Sequence, residues 1–316
     1  MNILLCGDFD AAELRAWHHH LQAALPQAQW LDREQALAAA DTVQVAVVAN
    51  PPPGSLQGLP RLRLIQSLWA GVEGLLQDRS VPQGVPLARM VDPAMNASMA
   101  ETALWATLGL HRGAFDYARD QQQRRWSPRP SRRADQVQVL VLGLGQMGRT
   151  AAQRIAQQGY RVSGWRLRPA ASAAAMPGIE DHAGAAALPA LLLRSDIVIN
   201  LLPLTPATTG LLDARFFAAL PRGASIVNLA RGAHLVEADL LAALASGRVA
   251  RAVLDVFHTE PLPQAHAFWS HPQVTVLPHV AGQTDAPSAS QVVAANVRAL
   301  LEGRPLQHLV ERGRGY

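Results

Sequence analysis

A glycine-rich turn near the middle of the chain is the feature that most limits its fold. The hydrophobic residues 139–142 run into Gly143, Gly145 and Gly148, and a stretch typical of a helix follows. The first glycine allows a tight turn, the second lets the backbone approach a pyrophosphate, and the third lets helix and strand pack closely. Free N–H groups at the start of the helix attract the anion. Strand, turn and helix together predict a dinucleotide-binding βαβ unit, whereas the glycines alone would be weak support.

The second strand of that unit predicts which dinucleotide is bound. Proteins that prefer NAD usually carry an acidic residue about 20 residues after the turn. This chain has Arg166 there, and Arg168 follows two positions later. A carboxylate would repel a 2′-phosphate, whereas guanidinium groups bind one through bidentate hydrogen bonds. We predict NADPH (NADP⁺) as the cofactor, with NADH weaker, and the alternative of two exposed arginines without a ligand stays open.

Short apolar runs alternate with helical stretches on both sides of the turn. The predicted strands are 3–6, 43–48, 62–66, 137–142, 161–165, 197–201, 225–229, 252–254 and 274–277, and the predicted helices are 11–25, 34–40, 97–123, 147–158, 188–194, 237–246 and 289–302. This rhythm predicts an α/β protein with doubly wound parallel sheets. The 316 residues favour two domains at roughly 150 residues each. We therefore expect two α/β lobes with a cleft between them.

Composition excludes several classes of protein. No apolar run approaches the ~20 residues of a membrane span, and the first residues lack the basic region of a signal peptide. A single cysteine, Cys6, forms neither an intrachain disulfide nor a zinc site. The net charge is only +4, and the densest run of arginines, 124–133, is typical of a solvated connector. We expect a cytoplasmic protein that binds neither membrane nor nucleic acid, and the absence of lysine rules out Schiff-base chemistry on this chain.

Three groups suited to anion binding and proton transfer follow three of the later strands. Arg231, Glu260 and His279 each come shortly after a predicted strand. Ligands of open α/β sheets bind outside the carboxyl ends of the strands, so these side chains can converge on one crevice. A lone histidine would more often be structural. Three complementary groups beside a dinucleotide fold are harder to explain by packing.

The motifs around these residues resemble those of the D-2-hydroxyacid dehydrogenase family, in particular its glyoxylate/hydroxypyruvate reductase branch, over essentially the whole chain. They are Ser-Leu-Trp-Ala-Gly-Val at 67–72, the glycine turn at 143–148, Leu-Leu-Pro-Leu-Thr at 201–205, Asn-Leu-Ala-Arg-Gly at 228–232, the segment 254–263, Pro-His-Val-Ala-Gly at 278–282, and Arg-Gly-Arg-Gly-Tyr ending at Tyr316. The resemblance implies a flavodoxin-like substrate lobe, 1–98 and 283–316, and an NAD(P)-binding Rossmann lobe, 99–282. It also implies a homodimer.

The resemblance implies a set of site residues as well. The catalytic residues would be Arg231, Glu260 and His279, and the substrate would also contact Trp69, Ala70 and Gly71. The cofactor contacts would be Gly143, Leu144, Gly145, Gln146, Met147, Gly148, Arg166, Arg168, Leu202, Pro203, Thr209, Leu229, Ala230, Asp255, His279 and Gly282. No metal is expected.

Elementary chemistry suits these residue types to the reduction of a small 2-oxo acid. Hydride transfer to the keto carbon leaves an alkoxide, which a protonated His279 can neutralise. Glu260 against the other ring nitrogen would fix the tautomer and favour the imidazolium. Arg231 can hold the carboxylate and the keto oxygen together. Backbone N–H groups near Gly71 would bind the carboxylate, and Trp69 beside them would favour short substrates such as glyoxylate and hydroxypyruvate unless it only packs between the lobes.

Some features leave alternatives open. Glu73 and Gly74 stand where many family members have Asp-His, so the packing of that loop cannot be carried over. A corepressor branch shares the fold, so a dinucleotide-sensing interaction protein is the rival from another class. A dehydrogenase of a different 2-hydroxy acid is the rival within the class. The run of three histidines at 18–20 is interpreted as helix surface, because ligands on a helix need i, i+4 spacing.

Overall fold

Two parallel β-sheets organise the computed structural model, which describes residues 1–169 and 176–315. Residues 170–175 lie outside the described residues, as does Tyr316 of the closing motif. The chain divides into a first unit, Met1–Met95 together with 284–315, and a second unit, Asn96–Gln283.

The regular elements are as follows in chain order. The strands are β1 (Asn2–Gly7), β2 (Gln29–Leu31), β3 (Val43–Ala49), β4 (Leu64–Ser67), β5 (Leu87–Ala88), β6 (Gln138–Leu142), β7 (Arg161–Arg166), β8 (Ile179–Ala183), β9 (Ile197–Asn200), β10 (Ala224–Asn228), β11 (Val249–Leu254) and β12 (Val274–Val276). The helices are α1 (Ala11–Ala24), α2 (Arg33–Ala38), α3 (Glu73–Gln77), α4 (Pro93–His111), α5 (Ala114–Gln122), α6 (Gln146–Ala156), α7 (Leu188–Leu192), α8 (Ala214–Ala219), α9 (Glu237–Ala245) and α10 (Ala286–Leu301).

The first unit is built on a five-stranded parallel sheet in the order β2-β1-β3-β4-β5. This is the flavodoxin-like strand order. The strand β3 is apolar along most of its length and almost fully buried, as expected for a strand covered on both faces. The helix α1 packs against α10 and is capped by Asp10, whose carboxylate accepts the N–H groups of Ala12 and Glu13.

The second unit is built on a seven-stranded parallel sheet in the order β12-β11-β10-β9-β6-β7-β8. The chain order reverses between β6 and β9, as in a Rossmann fold. Alternate residues of β6 enter different clusters, with Leu140 packed on one face and Val139 and Val141 on the other. Both sheets are doubly wound, and the predicted α/β class is confirmed.

One local prediction was wrong, and several short elements were missed, β8 among them. A single helix over 97–123 does not form, because α4 ends at His111 and Gly113 takes a left-handed backbone (φ 69°) before α5 begins. The edge strand β8 was not predicted, since its sequence Ile-Glu-Asp-His-Ala is mostly polar and half-exposed. Charged edge strands of this kind protect a sheet against further pairing, and they lack the apolar pattern used to find strands. Cys6 is half-buried on β1.

Within the described residues, no helix combines the length and the apolar character that a membrane span requires.

Candidate active site

The glycine turn leaves open space at one position and is tightly packed at two others. Gly143 has φ 95°, and a Cβ there would lie 2.5 Å from the carbonyl oxygen of Leu201. A Cβ on Gly148 would lie 1.8 Å from the carbonyl oxygen of Gly143. Around Gly145, by contrast, no described atom comes within 4 Å of an added Cβ. The first and third glycines are therefore required by packing, and the second borders the space that a phosphate group needs.

The residues between these glycines contribute mainly backbone. Leu144 is buried, and its side chain packs where a Cβ on Gly164 would lie. Gln146 is exposed and Met147 is half-buried at the first turn of α6. The free N–H groups of this turn are thus presented by a helix of 11 residues that starts directly after Gly145.

Arg166 closes β7 and is held by an acidic residue that was not predicted. Its guanidinium Nη2 donates to Asp181 of β8, and its side chain is only 14% exposed. Among the described residues, its buried Nε has no hydrogen-bond partner. Arg168 is exposed two positions further on. One nearly buried guanidinium with an unused donor and one exposed guanidinium therefore follow the second strand of the dinucleotide-binding unit.

The loop after β9 contains the predicted cofactor residues Leu202, Pro203 and Thr209. Its shape is held by Thr208, a buried residue that was not predicted, whose hydroxyl donates to the carbonyl oxygen of Pro203 at 2.8 Å. His234 is buried and also lies against that carbonyl oxygen, with its Nε2 at 3.3 Å. Thr209 is exposed, and its hydroxyl donates to the loop backbone.

Arg231 lies three residues beyond β10, after the buried pair Leu229 and Ala230. Its Nη1 donates to the carbonyl oxygen of Ala230 at 2.7 Å, and the side chain is half-buried. The next residue, Gly232, touches the loop after β11, since a Cβ there would lie 2.0 Å from the carbonyl carbon of Phe257. Arg231 and the segment that leads to Glu260 are therefore neighbours because only a glycine fits between their backbones.

Glu260 and His279 are in direct contact. The Glu260 Oε2 lies 2.6 Å from Nδ1 of His279, and its Oε1 accepts the N–H of Phe257 at 2.8 Å. The side chains are 34% and 50% exposed. A carboxylate at Nδ1 requires that nitrogen to carry the proton, so Nε2 is the ring nitrogen that can exchange a proton with a ligand.

Asp255 is completely buried and holds the turn that carries His279. Its carboxylate accepts the N–H groups of Val280 and Ala281 at 2.8 and 3.0 Å, and its carbonyl oxygen accepts the N–H of His279 at 2.9 Å. The His279 backbone is left-handed (φ 55°), which these bonds stabilise. Burial raises the pKa of Asp255, and the two N–H donors oppose that rise. Gly282, at the end of the turn, is half-buried.

The predicted substrate loop lies in the first unit, directly after β4. The Trp69 carbonyl oxygen accepts the N–H of Met90 at 3.1 Å and the hydroxyl of Ser67 at 3.0 Å. The Trp69 ring packs edge-to-face on Trp17, with 6.1 Å between centroids. Ala70 and Gly71 follow, both half-buried. Trp17, which was not predicted, therefore fixes the orientation of the Trp69 ring within this unit.

Comparisons with known proteins agree with this architecture. Residues 104–281 match the model of the D-isomer specific 2-hydroxyacid dehydrogenase NAD binding domain. Two similar relatives, from Yersinia enterocolitica and Serratia proteamaculans, are each named glyoxylate/hydroxypyruvate reductase A. They are 39% and 40% identical, and each alignment covers 100% of both chains.

Two solved structures are similar over the whole chain. A D-isomer specific 2-hydroxyacid dehydrogenase from Xanthobacter autotrophicus Py2, in complex with NADPH and MES, has a TM-score of 0.91 at 36% identity and covers 100% of this chain and 99% of its own. An NADPH-dependent glyoxylate/hydroxypyruvate reductase from Sinorhizobium meliloti, in complex with NADP and sulfate, has a TM-score of 0.90 at 32% identity with the same coverage. The predicted resemblance is confirmed: this chain is an oxidoreductase that belongs to the D-isomer specific 2-hydroxyacid dehydrogenase family.

Proposed function

We propose that this enzyme is an NADPH-preferring reductase of small 2-oxo acids, which converts glyoxylate to glycolate and hydroxypyruvate to glycerate. The observation that carries the proposal is the 2.6 Å contact between Glu260 and His279, beyond two neighbouring strands of the dinucleotide-binding sheet. The names of the similar relatives support the same substrates.

The proton chemistry follows from the orientation of the imidazole. A bound nicotinamide cofactor supplies the hydride that reaches the keto carbon of the substrate. His279, protonated at both nitrogens, gives the Nε2 proton to the former keto oxygen, and solvent restores that proton after product release. Glu260 retains its hydrogen bond to Nδ1 throughout and stabilises the charged ring before transfer. One hydride and one proton thus convert the 2-oxo acid to a 2-hydroxy acid.

Arg231 has the role of an anion anchor in this proposal. Its planar guanidinium matches the geometry of a carboxylate and can also stabilise charge that develops on the keto oxygen. In the first unit, the backbone of Ala70 and Gly71 is proposed to contact the substrate, with Trp69 limiting its size. The fixed Trp69 ring supports a preference for two- and three-carbon acids.

The proposed cofactor is supported by the fit of the residues that would hold it. The open space at Gly145 admits a pyrophosphate close to the first N–H groups of α6. The unused Nε of Arg166 and the exposed guanidinium of Arg168 are donors suited to a 2′-phosphate. Asp181 balances part of the Arg166 charge, so Arg168 supplies the more accessible cation.

Turnover tests the proposed function directly. Glyoxylate, hydroxypyruvate, pyruvate, a branched 2-oxo acid and 3-phosphohydroxypyruvate are each assayed with NADPH and with NADH. The proposal predicts the highest kcat/KM with NADPH and one of the first two acids. A clear preference for a bulkier acid would assign the enzyme a different substrate. No turnover with any acid, while NADPH still binds, would favour the interaction protein considered from the sequence.

We also propose that the enzyme is a homodimer formed through the second unit. The helices α4 and α5 and the residues after them expose large apolar side chains on this unit. These are Trp105, Leu108, Tyr117 and Trp126, the last of them 98% exposed. Exposed aromatic and aliphatic side chains of this kind are consistent with an interface, and closed two-fold symmetry is the commonest arrangement of identical chains.

A further inference from the structure

Two asparagines at the ends of neighbouring strands form a hydrogen-bond network, and neither was among the site residues predicted from the sequence. Asn200 ends β9 and Asn228 ends β10, and the two are directly paired in the sheet register. Their side chains are 1% and 0% exposed. The Nδ2 of Asn200 donates to the Oδ1 of Asn228 at 3.0 Å. Burying an amide group is energetically costly unless it is hydrogen-bonded, so we expect this pair to fix the backbone segments to which it is bonded.

The backbone fixes the orientation of both amides. The N–H of Leu202 donates to Oδ1 of Asn200 at 3.2 Å, and the N–H of Ala230 donates to Oδ1 of Asn228 at 3.3 Å. The Nδ2 of Asn228 donates to the carbonyl oxygen of Arg231 at 3.1 Å. Because backbone N–H groups only donate and carbonyl groups only accept, neither side chain can be flipped without losing bonds.

We propose that Asn200 and Asn228 are positioning residues for Arg231. The bond from Asn228 holds the Arg231 backbone, and the bond from Asn200 holds Asn228 in the orientation that makes this possible. The same pair holds the N–H groups of Leu202 and Ala230, so it ties the loops after β9 and β10 together. The proposal rests on the proposed function, in which the Arg231 guanidinium anchors the substrate carboxylate.

Replacing either asparagine by aspartate removes a hydrogen-bond donor from the network. In Asn228→Asp, the Oδ1 that accepts from Asn200 and Ala230 is retained, but the donor to Arg231 is lost and an oxygen faces its carbonyl oxygen. In Asn200→Asp, the donor to Asn228 is lost, so Asn228 either loses that bond or turns away from Arg231. Both changes therefore weaken the hold on Arg231 without removing its side chain.

The chain offers a matched control in the other unit. Asn296 on α10 is 1% exposed and makes the same types of bond, donating to Gln66 at 2.7 Å and to the carbonyl oxygen of Gln307 at 3.1 Å, while it accepts the N–H of Gln307 at 2.8 Å. Asn296→Asp thus removes buried donors of the same kind. This variant shows how much oxalate affinity changes when a substitution lowers only the stability of the protein.

The experiment measures anion binding apart from turnover. Oxalate serves as the probe, because this two-carbon dicarboxylate cannot be reduced in this reaction. Its Kd is measured by calorimetry on the enzyme–NADPH complex. The Kd of NADPH, the Tm, and KM and kcat for glyoxylate are measured on the same variants. For Asn228→Asp we expect oxalate to bind roughly ten-fold more weakly, the size expected for one lost buried hydrogen bond. The KM for glyoxylate should rise in parallel, and the NADPH Kd should stay close to that of the unchanged enzyme. Asn228→Ser, a neutral variant, should show the same pattern if the aspartate does not fold.

The outcomes separate the two proposals. Normal oxalate binding in folded Asn228→Asp and Asn228→Ser would overturn the positioning role, as would an equal loss in Asn296→Asp. An unchanged enzyme that binds oxalate but reduces no 2-oxo acid would refute the proposed function and leave the positioning of Arg231 testable by oxalate. An unchanged enzyme that binds no oxalate would overturn both.

Discussion

Alanine substitutions at two glycines of the same turn should have different effects: Gly145→Ala should weaken NADPH binding, and Gly148→Ala should lower stability. Gly145 has φ −69° and open space around an added Cβ, so alanine fits there without strain. Replacing glycine at such a site changes stability by about +0.4 to +1 kcal/mol, because the unfolded chain loses freedom. The new methyl group, however, occupies the space where the pyrophosphate is proposed to approach the N–H groups of α6. The loss of one charge-assisted hydrogen bond, about 1.5–3 kcal/mol, predicts NADPH binding about 10- to 150-fold weaker.

Gly148→Ala should behave in the opposite way. Its Cβ would lie 1.8 Å from the Gly143 carbonyl oxygen, so the helix or the turn must move. Overpacking of this kind costs about 1–3 kcal/mol or more and should lower the Tm measured without cofactor. Thermal unfolding and calorimetric titration with NADPH are measured on both variants. A Gly145→Ala protein that binds NADPH as tightly as the unchanged enzyme would refute the placement of the pyrophosphate, and an unchanged Tm in Gly148→Ala would refute the packing argument.

Three further predictions concern specificity, substrate binding and assembly. Replacing Arg166 and Arg168 by glutamine should raise the KM for NADPH about ten-fold while NADH turnover changes little. The matched Arg161→Gln, at the exposed start of the same strand, should leave the KM for NADPH and the NADH turnover unchanged. Equal efficiency with NADPH and NADH in the unmodified enzyme would contradict the proposed role of the two arginines. Arg231→Ala should raise KM for glyoxylate and lower kcat together, since it removes an anchor and a charge stabiliser; a change in KM alone would restrict its role to binding. Light scattering should give about twice the chain mass of 33.9 kDa, and a monomer at assay concentrations would refute the dimer.

The fold class could be predicted from the sequence because the strand–turn–helix pattern depends on residues that are close together in the chain. Apolar runs such as Val43–Ala49 are buried on both faces, and three glycines at fixed spacing predicted the βαβ unit that β6, α6 and β7 form. Local pattern failed where a tertiary neighbour decides the structure. β8 is mostly polar and forms because it pairs with the edge of β7, and Gly113 follows the end of α4 within a stretch that otherwise favours helix.

The candidate site shows the same contrast between features set by local sequence and features set by tertiary contacts. Residue type and position after a strand indicated Arg231, Glu260 and His279 as candidates, because loops at strand ends carry function in α/β sheets. Sequence could not indicate Asp181 as the partner of Arg166, since the two are 15 positions apart and meet only through strand pairing. Asn228 lies in a motif that was noted, but the roles of Asn200 and Asn228 were not predicted, because a polar residue that ends a strand becomes informative only when its burial is known.

The role of His279 as the proton donor is tested most directly by kcat/KM for glyoxylate and NADPH in variants of His279 and of its partner Glu260. Glu260→Gln should lower kcat/KM, because a neutral amide stabilises the charged imidazole less than the carboxylate does. His279→Ala, and His279→Asn, which tolerates the left-handed backbone at this position, should each lower kcat/KM by ~10²–10⁴-fold with NADPH binding nearly intact. Wild-type turnover in both His279 variants would show that the proton comes from another group and would contradict the mechanism.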